Sequence, residues 1–541
     1  MKREHIRKFD PNDTSVTSMM EKTLKANWDR PAFTNYGSGQ SYTFSEVAKM
    51  IARLHTLFRA LGIEPGNKIA LCDKNSAEWA VSFLAAFSYG AVVVPILSEF
   101  NTEQIQNIYD HSDSRILICG RRYADKLQAR ILHIENFSMK DEDVAIDLTS
   151  YTDMQPQDVS FFREKPEDPA LISYTSGSTG RSKGVMLPYQ SVWSNAHFVD
   201  ELLEFDSGEN TFALLPLAHM YGFSFDFMAE FLLGCHVHFL TKTPSPHIVT
   251  AAFQHIKPIV VVVVPLIIEK IVRNIIFPIM RTPHMRALTS IPMLKQVVYR
   301  LVRNKLRQAL GGNFYETVIG GAALSKDVED FLRLIKFPYT VGYGMTECGP
   351  LIGYEDWSTF KKGSCGKAAP RMEVKVLSED PENIPGEIIT RGMNLMLGYY
   401  KNETETLAAI DEEGWLHTGD LGVIDSEGNI FIRGRKKNML LGTNGQNIYP
   451  EEIEDIIMAR TIFEESVVVQ RGEKLVALVY VSDPALQHHG LTCKTLNEHL
   501  STYKRQINSM LPHYANISAI EVRENEFEKT PKRNIKRYLY T

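Results

Sequence analysis

Between the apolar runs Leu171-Ile172 and Val185-Met186-Leu187 lie twelve residues, 173 to 184, with six Ser/Thr hydroxyls, three glycines and Lys183. Glycine lets the backbone curl so that amide N–H groups converge, and the hydroxyls and ammonium add further donors. A donor array without a carboxylate suits an anion, and a polyphosphate most of all. The order Gly180-Arg181-Ser182-Lys183-Gly184 is not that of the common P-loop, which needs Gly-Lys followed directly by Ser or Thr. Taken alone, such a stretch also reads as a Ser/Gly linker, so the rest of the chain has to decide.

What surrounds this segment is an alternation of helix and strand signals. Thr43-Phe-Ser-Glu46 forms a capping-box pattern opening an amphipathic helix that stops near Gly62. Residues 68–72, 91–96 and 115–119 read as strands. Residues 77–89 read as a helix, and Asn101-Thr-Glu-Gln104 opens another. Such alternation predicts parallel strands in a layered α/β domain. At 541 residues the chain exceeds one compact core, so at least two domains are expected. The character changes after Gly434, where a charged stretch precedes a compact α/β tail. The predicted division is 1–434 and 435–541.

Hydrophobic residues at 44% and charged residues at 23% describe an ordinary globular protein, and a net charge of −6 speaks against nucleic acid as a partner. The six cysteines are scattered with no Cys-x-x-Cys pair, as in a reducing compartment. No N-terminal apolar stretch reads as a signal peptide. The longest apolar run, residues 259–268, is too short to span a bilayer and reads as a buried strand. A cytoplasmic location is expected. Residues 269–310 are helical and basic, with Arg281, Arg286, Lys295, Arg300, Arg303, Lys305 and Arg307. They read either as a solvated helix pair or as an amphipathic surface for peripheral membrane contact.

Two further segments carry chemistry. Thr317-Val-Ile-Gly-Gly-Ala-Ala-Leu324 runs into a glycine turn, followed by Val341-Gly-Tyr-Gly-Met-Thr-Glu347. A flat aromatic beside glycines can stack on a purine. In Gly414-Trp-Leu-His-Thr-Gly-Asp-Leu-Gly422, Asp420 reads as exposed at a glycine turn, its two carboxylate oxygens suited to a vicinal diol.

Thr-Ser-Gly-Ser-Thr-Gly-x-x-Lys-Gly, together with these segments, resembles the adenylate-forming superfamily of acyl- and aryl-CoA synthetases, adenylation domains and luciferases. Within it, the long-chain fatty acyl-CoA synthetases are the nearest in pattern. The resemblance implies a large N-terminal domain and a small mobile C-terminal α/β domain, with the active site between them. It implies that Thr175, Ser176, Gly177, Ser178, Thr179, Gly180 and Lys183 cradle the phosphates of ATP. Gly320, Gly321 and Ala322 would line the base, with Tyr343 stacked on it beside Gly344. Thr346 would touch the α-phosphate, Glu347 would hold Mg²⁺, and Asp420 and Arg435 would hold the ribose end. Lys437 falls at the interdomain hinge. Asn444-Gly-Gln-Asn-Ile-Tyr-Pro-Glu-Glu-Ile-Glu454 resembles the hairpin facing coenzyme A, with Gly445 at the pantetheine tunnel. His219 lies where the family walls its acyl pocket, but also reads as a structural histidine. The aromatic segment 220–228 likewise reads as acyl pocket or as core.

One expectation is not met. The family's C-terminal Gly-Lys-Ile-x-Arg pattern aligns with Arg533-Asn534-Ile535-Lys536-Arg537, placing Asn534 where the catalytic lysine belongs. Losing one such electrostatic donor costs on the order of 10²–10³ in rate. Lys532 and Lys536, two residues to either side in an extended segment, share its face and could replace it. The implied reaction joins a carboxylic acid, a fatty acid by resemblance, to AMP and then to coenzyme A. An aryl-CoA ligase, a ligase loading an acyl-carrier protein, and a nucleotide-binding protein without catalysis remain open.

Overall fold

The computed structural model describes residues 8–140, 150–176, 182–441, 446–460, 462–472, 474–529 and 535–540. The local signals translate directly into elements. Thr43 caps the helix Phe44–Ala60: its hydroxyl accepts from Glu46 N at 3.2 Å while the Glu46 carboxylate accepts from Thr43 N at 2.7 Å. Asn101 and Gln104 do the same for the helix Thr102–His111. The strands Lys68–Cys72, Val92–Pro95 and Ser114–Cys119 and the helix Ala77–Ser88 fall where the pattern puts them.

These strands form the middle of a seven-stranded sheet. Its order is Gly398–Tyr399, Ser182–Pro188, Pro169–Ser176, Val92–Pro95, Lys68–Cys72, Ser114–Cys119, Ile131–His133. The five strands from Pro169–Ser176 to Ile131–His133 pair in parallel. Val92–Pro95 is buried on both faces, which is why it reads as an unbroken apolar run. A second sheet contains Pro31–Tyr36, His236–Leu240 and Asn210–Ala213, and a third the parallel strands Val260–Val263, Glu316–Ile319 and Tyr339–Val341. An antiparallel four-stranded sheet, Met372–Leu377, Gly386–Gly392, Leu416–Ile424 and Ile430–Arg435, completes the large part.

Two expectations change here. The apolar run 259–268 is not one strand. Val260–Val263 ends it, and Pro265, whose fixed φ and missing N–H suit a first helical position, starts the helix Pro265–Ile271. The aromatic segment 220–228, apart from the partly buried Tyr221, is core. Phe227 packs against Phe33, Trp79, Phe83, Phe231 and Phe239, and Phe223 against Phe83 at 4.7 Å between ring centroids. Asp226 within it is buried too, accepting from Leu214 N at 3.1 Å and Leu215 N at 2.9 Å.

Beyond Arg435 the chain makes a turn, Lys436–Asn438, and builds separate small cores around Ile453, Ile457, Val468, Ala477 and Ile507, and around Val467, Val469 and Phe527. A three-stranded sheet, Glu465–Arg471, Lys474–Tyr480 and Ile517–Arg523, organises them. Arg537 donates to Glu454 Oε1 at 2.7 Å, tying the last described turn to the helix Pro450–Met458. That helix meets the large part where Arg273 donates to the Met458 carbonyl and pairs with Asp327 at 2.7 Å. Among the described residues no helix is long and apolar enough to cross a membrane.

Candidate functional site

Lys183 is placed by strand register. Pro169–Ser176 and Ser182–Pro188 pair antiparallel, setting Lys183 opposite Thr175. Gly184 sits one step further, where a Cβ would approach Ile172 Cγ2 to 2.9 Å. The short strand Gly398–Tyr399 closes on the other edge: Leu397 N donates to Met186 O at 2.8 Å and Tyr400 N to Gly184 O at 2.7 Å. Tyr399 thereby comes beside Lys183, whose ammonium lies 5.0 Å from the ring centroid and pairs with the Glu405 carboxylate.

The hydroxyl of the same Tyr399 donates to Glu347 Oε1 at 3.0 Å. One ring therefore spans the two groups that the resemblance assigns to phosphate and metal. Burial, reinforced by the Glu347 charge, pushes the Tyr399 phenol well above its ordinary range. It stays a donor to that carboxylate. Glu347 lies on the turn Thr346–Cys348, and its carbonyl accepts from Met396 N at 2.9 Å, locking the two segments together. Thr346 is buried. Gly344 has no room for a side chain, because a Cβ would sit 2.2 Å from the Pro350 carbonyl oxygen.

Asp420 is not exposed at a turn, as its Thr-Gly-Asp context suggests; it is buried inside the strand Leu416–Ile424. Tyr343 covers it, donating to Oδ2 at 2.7 Å, and Arg435 Nε pairs with Oδ1 at 2.7 Å. Asp420 and Arg435 are also direct cross-strand partners. Burial raises the Asp420 pKa, the Arg435 guanidinium opposes that, and the nearby Glu347 charge adds to it. Each carboxylate oxygen has one donor and retains a second lone pair. Lys183, Glu347 and Asp420 thus face one region, linked through Tyr399 and through the segment carrying both Tyr343 and Glu347.

Gly320 and Gly321 end the strand Glu316–Ile319. A Cβ on Gly320 would lie 2.9 Å from the Tyr221 ring, and Gly321 has a φ of +84°, the left-handed region that favours glycine. Ala322 is exposed next to them. His219 is half-buried and caps the helix Met220–Phe223, accepting from Tyr221 N at 3.4 Å. Lys437 lies in the turn after Arg435. Desolvation lowers its pKa, and so do the charges of Arg435 and Lys183, against Asp420 and Glu451. Lys536 pairs with Glu528 at 3.4 Å. Only the backbone of Ser176 is described. Gly177, Ser178, Thr179, Gly180, Gly445, Lys532 and Asn534 lie outside the described residues.

Among the described residues no group of three or more His, Cys, Asp or Glu side chains could hold a metal unaided. Mg²⁺ needs none when it binds through one carboxylate and the phosphates of a nucleotide, so the donor set around Glu347 fits it.

The AMP-binding enzyme family matches residues 20–400, most of the chain. The chain belongs to that family. The C-terminal domain of AMP-binding enzymes matches residues 437–540. This AMP-binding enzyme is 27% identical over 488 residues to 4-coumarate–CoA ligase 2 of Oryza sativa subsp. japonica, covering 84% of the chain and 80% of the relative. It is 28% identical over 482 residues to a long-chain-fatty-acid–CoA ligase of Mycobacterium bovis, covering 82% and 77%. The fold is that of the o-succinylbenzoate CoA synthetase of Bacillus subtilis, solved with an acyl-adenylate intermediate, at a TM-score of 0.75. Sequence identity is 20%, and 97% and 98% of the two chains are covered. The anthranilate CoA ligase structure gives a TM-score of 0.77 at 18% identity, covering 97% and 96%. These relatives are, by name, acyl- and aryl-CoA ligases.

Sequence reasoning missed Tyr399, Glu405 and Tyr221. Tyr399 had a signal, since Gly398-Tyr399-Tyr400 puts two aromatics directly after a glycine. Glu405 had none, because its partner Lys183 is 222 residues away, and Tyr221 was read only as part of the segment 220–228, its hydroxyl partners Val263 and Val318 lying on separate strands.

Proposed function

We propose that this AMP-binding enzyme is an AMP-forming acid–thiol ligase. It would join a carboxylic acid to AMP with release of pyrophosphate and then transfer the acyl group to coenzyme A. The observation that carries this reading is the clamp of buried Tyr343 and Asp420 with the exposed Arg435, set beside the Lys183–Tyr399–Glu347 group. A carboxylate acylates poorly because its oxide leaves badly, and the mixed anhydride with AMP supplies a good leaving group.

The protein's share of the first step is positioning and neutralisation of charge. Asp420 would accept the ribose hydroxyls on its remaining lone pairs, with Arg435 keeping it ionised. Gly320, Gly321, Ala322 and the Tyr343 ring would bound the base. Thr346 would meet the α-phosphate. Thr175, Ser176, Ser178, Thr179 and Lys183 would hold the β- and γ-phosphates, with Gly177 and Gly180 shaping the loop. Glu347 would hold Mg²⁺, which screens the triphosphate. Lys183 would exchange Glu405 for phosphate oxygens as ATP enters. In place of a lysine at position 534, Lys532 or Lys536 would offset charge between the acid and the α-phosphate; the Glu528 partner of Lys536 would have to yield.

The large domain is proposed to end at residue 434 and the small domain to begin at 435, with Lys437 as the pivot between half-reactions. Gly445 would give the pantetheine arm room. For the acid we propose a long-chain fatty acid, supported by the mycobacterial relative. The 4-coumarate ligases favour an aryl acid as the second reading. Pyrophosphate exchange into ATP across fatty, aryl and short-chain acids tests both, followed by thioester detection with coenzyme A. Exchange with fatty acids and none with cinnamates supports the first reading. Nucleotide binding without exchange for any acid would overturn the ligase assignment.

A further inference from the structure

From Pro265 to Leu310 the chain makes a helical excursion whose outer surface differs from the rest of the molecule. Nine Lys or Arg residues occur there against a single carboxylate, Glu269, so the segment carries +8 in a chain whose net charge is −6. Glu269 does not offset this at the surface, because it is turned inward, accepting from Ser325 N at 2.9 Å.

Apolar side chains stand on the same surface. The helix Pro292–Ala309 buries Val298 and Leu306. On the opposite side Met293, Val297 and Leu301 repeat every four residues with 83%, 53% and 63% of their surface exposed, and Leu294 stands beside them. A four-residue repeat keeps side chains on one helical face. Asn304 and Gln308 continue the same face, so the stripe is apolar at its N-terminal end and polar beyond. Exposed Leu288 and Ile291, on the preceding helix Pro283–Ser290 and its connection, extend the apolar end. Exposed Arg286, Arg300 and Lys305 flank it.

An amphipathic face that is apolar over half its length and rimmed by cations matches shallow insertion into a bilayer, with the cations at headgroup level. A second copy of this chain is disfavoured as the occupant, since it would bring the exposed Lys270, Arg281, Arg286, Arg300 and Lys305 against their own copies. An acidic protein would answer the charge but leave a row of large aliphatic side chains without a hydrocarbon partner. We propose that the Pro292–Ala309 face, with Leu288 and Ile291, docks this protein on anionic lipid surfaces.

The test is sedimentation of the full chain with vesicles of phosphatidylcholine alone or enriched in phosphatidylglycerol. Binding to the anionic vesicles is expected, weakening steeply with added salt. The combined variant Met293→Ser, Val297→Ser, Leu301→Ser should bind at least about tenfold more weakly, from the apolar area no longer inserted. Arg286→Gln with Arg300→Gln should lose about fivefold per charge on anionic vesicles. All these side chains are exposed, so thermal melting of the variants should match the parent. Failure of the parent to sediment with anionic vesicles at low salt would overturn the proposal. So would equal sedimentation of the serine variant. Self-association, or capture of an acidic protein, abolished by the serine substitutions in the absence of vesicle binding would assign the face to that occupant instead.

Discussion

Replacing Asp420 by Asn tests the nucleotide reading at its most defined point. The side chain keeps its shape and remains buried, but the charge that faces Arg435 Nε at 2.7 Å is gone. An amide turned with its oxygen toward Arg435 presents its NH₂ to Tyr343, whose hydroxyl must then accept, and to the ribose. Two ribose hydroxyls on an ionised carboxylate are charge-assisted bonds of about 1.5–3 kcal/mol each. Asn can still accept or donate weakly at both places, so roughly half of the combined value is lost. The expected cost is about 2 kcal/mol, on the order of thirtyfold in ATP affinity. Calorimetric titration with ATP and with 2′,3′-dideoxy-ATP separates this from general damage. The parent should lose affinity on removal of the hydroxyls, and Asp420→Asn should lose only about half as much in free energy. An Asn variant that still discriminates between them as strongly as the parent would refute the ribose clamp.

Other outcomes follow from the same geometry. Glu347→Gln should slow pyrophosphate exchange by about 10²–10³ and raise the Mg²⁺ concentration needed for half-maximal rate, read from a metal titration. Glu405→Gln should tighten ATP binding a few-fold by releasing Lys183; because Glu405 is half exposed the effect is small, and weaker binding would count against the competition. Burial, with the charges of Glu454 and Glu269, pushes Asp455 up to about 7 from an ordinary 3.8. A raised carboxyl pKa penalises the folded state once pH exceeds the unfolded value, and the penalty grows until pH passes 7. Asp455→Asn should therefore melt higher than the parent at pH 8, by about 1–2 kcal/mol, with the two converging near pH 4. Lys532→Ala combined with Lys536→Ala should depress adenylate formation by about 10²-fold while leaving ATP binding intact, and Asn534→Lys should restore it. Unchanged adenylation in the double variant would exclude both lysines.

What could be read from the sequence was whatever is settled by neighbours in the chain. The caps at Thr43 and Asn101 depend on residues three positions away, so both helix starts are found where the pattern puts them. The positions of Tyr343, Glu347 and Asp420 follow from motifs in which glycine spacing and residue type occur together. Asp420 was misjudged as exposed because the cover comes from Tyr343, seventy-seven residues earlier. Glu405 beside Lys183 depends on strand register, and Glu454 beside Arg537 on how the last turn packs within the small part, which no local pattern reports. The segment 220–228 shows the same limit from the other side. Aromatic residues at that density suit a pocket wall and a core equally, and only their packing against Phe33, Trp79 and Phe83 distinguishes the two.

The cross-strand pairing of Asp420 with Arg435 bears on turnover as well as on capture. ATP and AMP carry the same ribose, so the proposed clamp, built across one rung of the sheet, would hold spent nucleotide as firmly as fresh. The backbone leaves that sheet immediately after Arg435, one residue before the proposed pivot Lys437. A swing of the small part would pull on the last rung and loosen the guanidinium, linking discharge of AMP mechanically to the domain's return stroke.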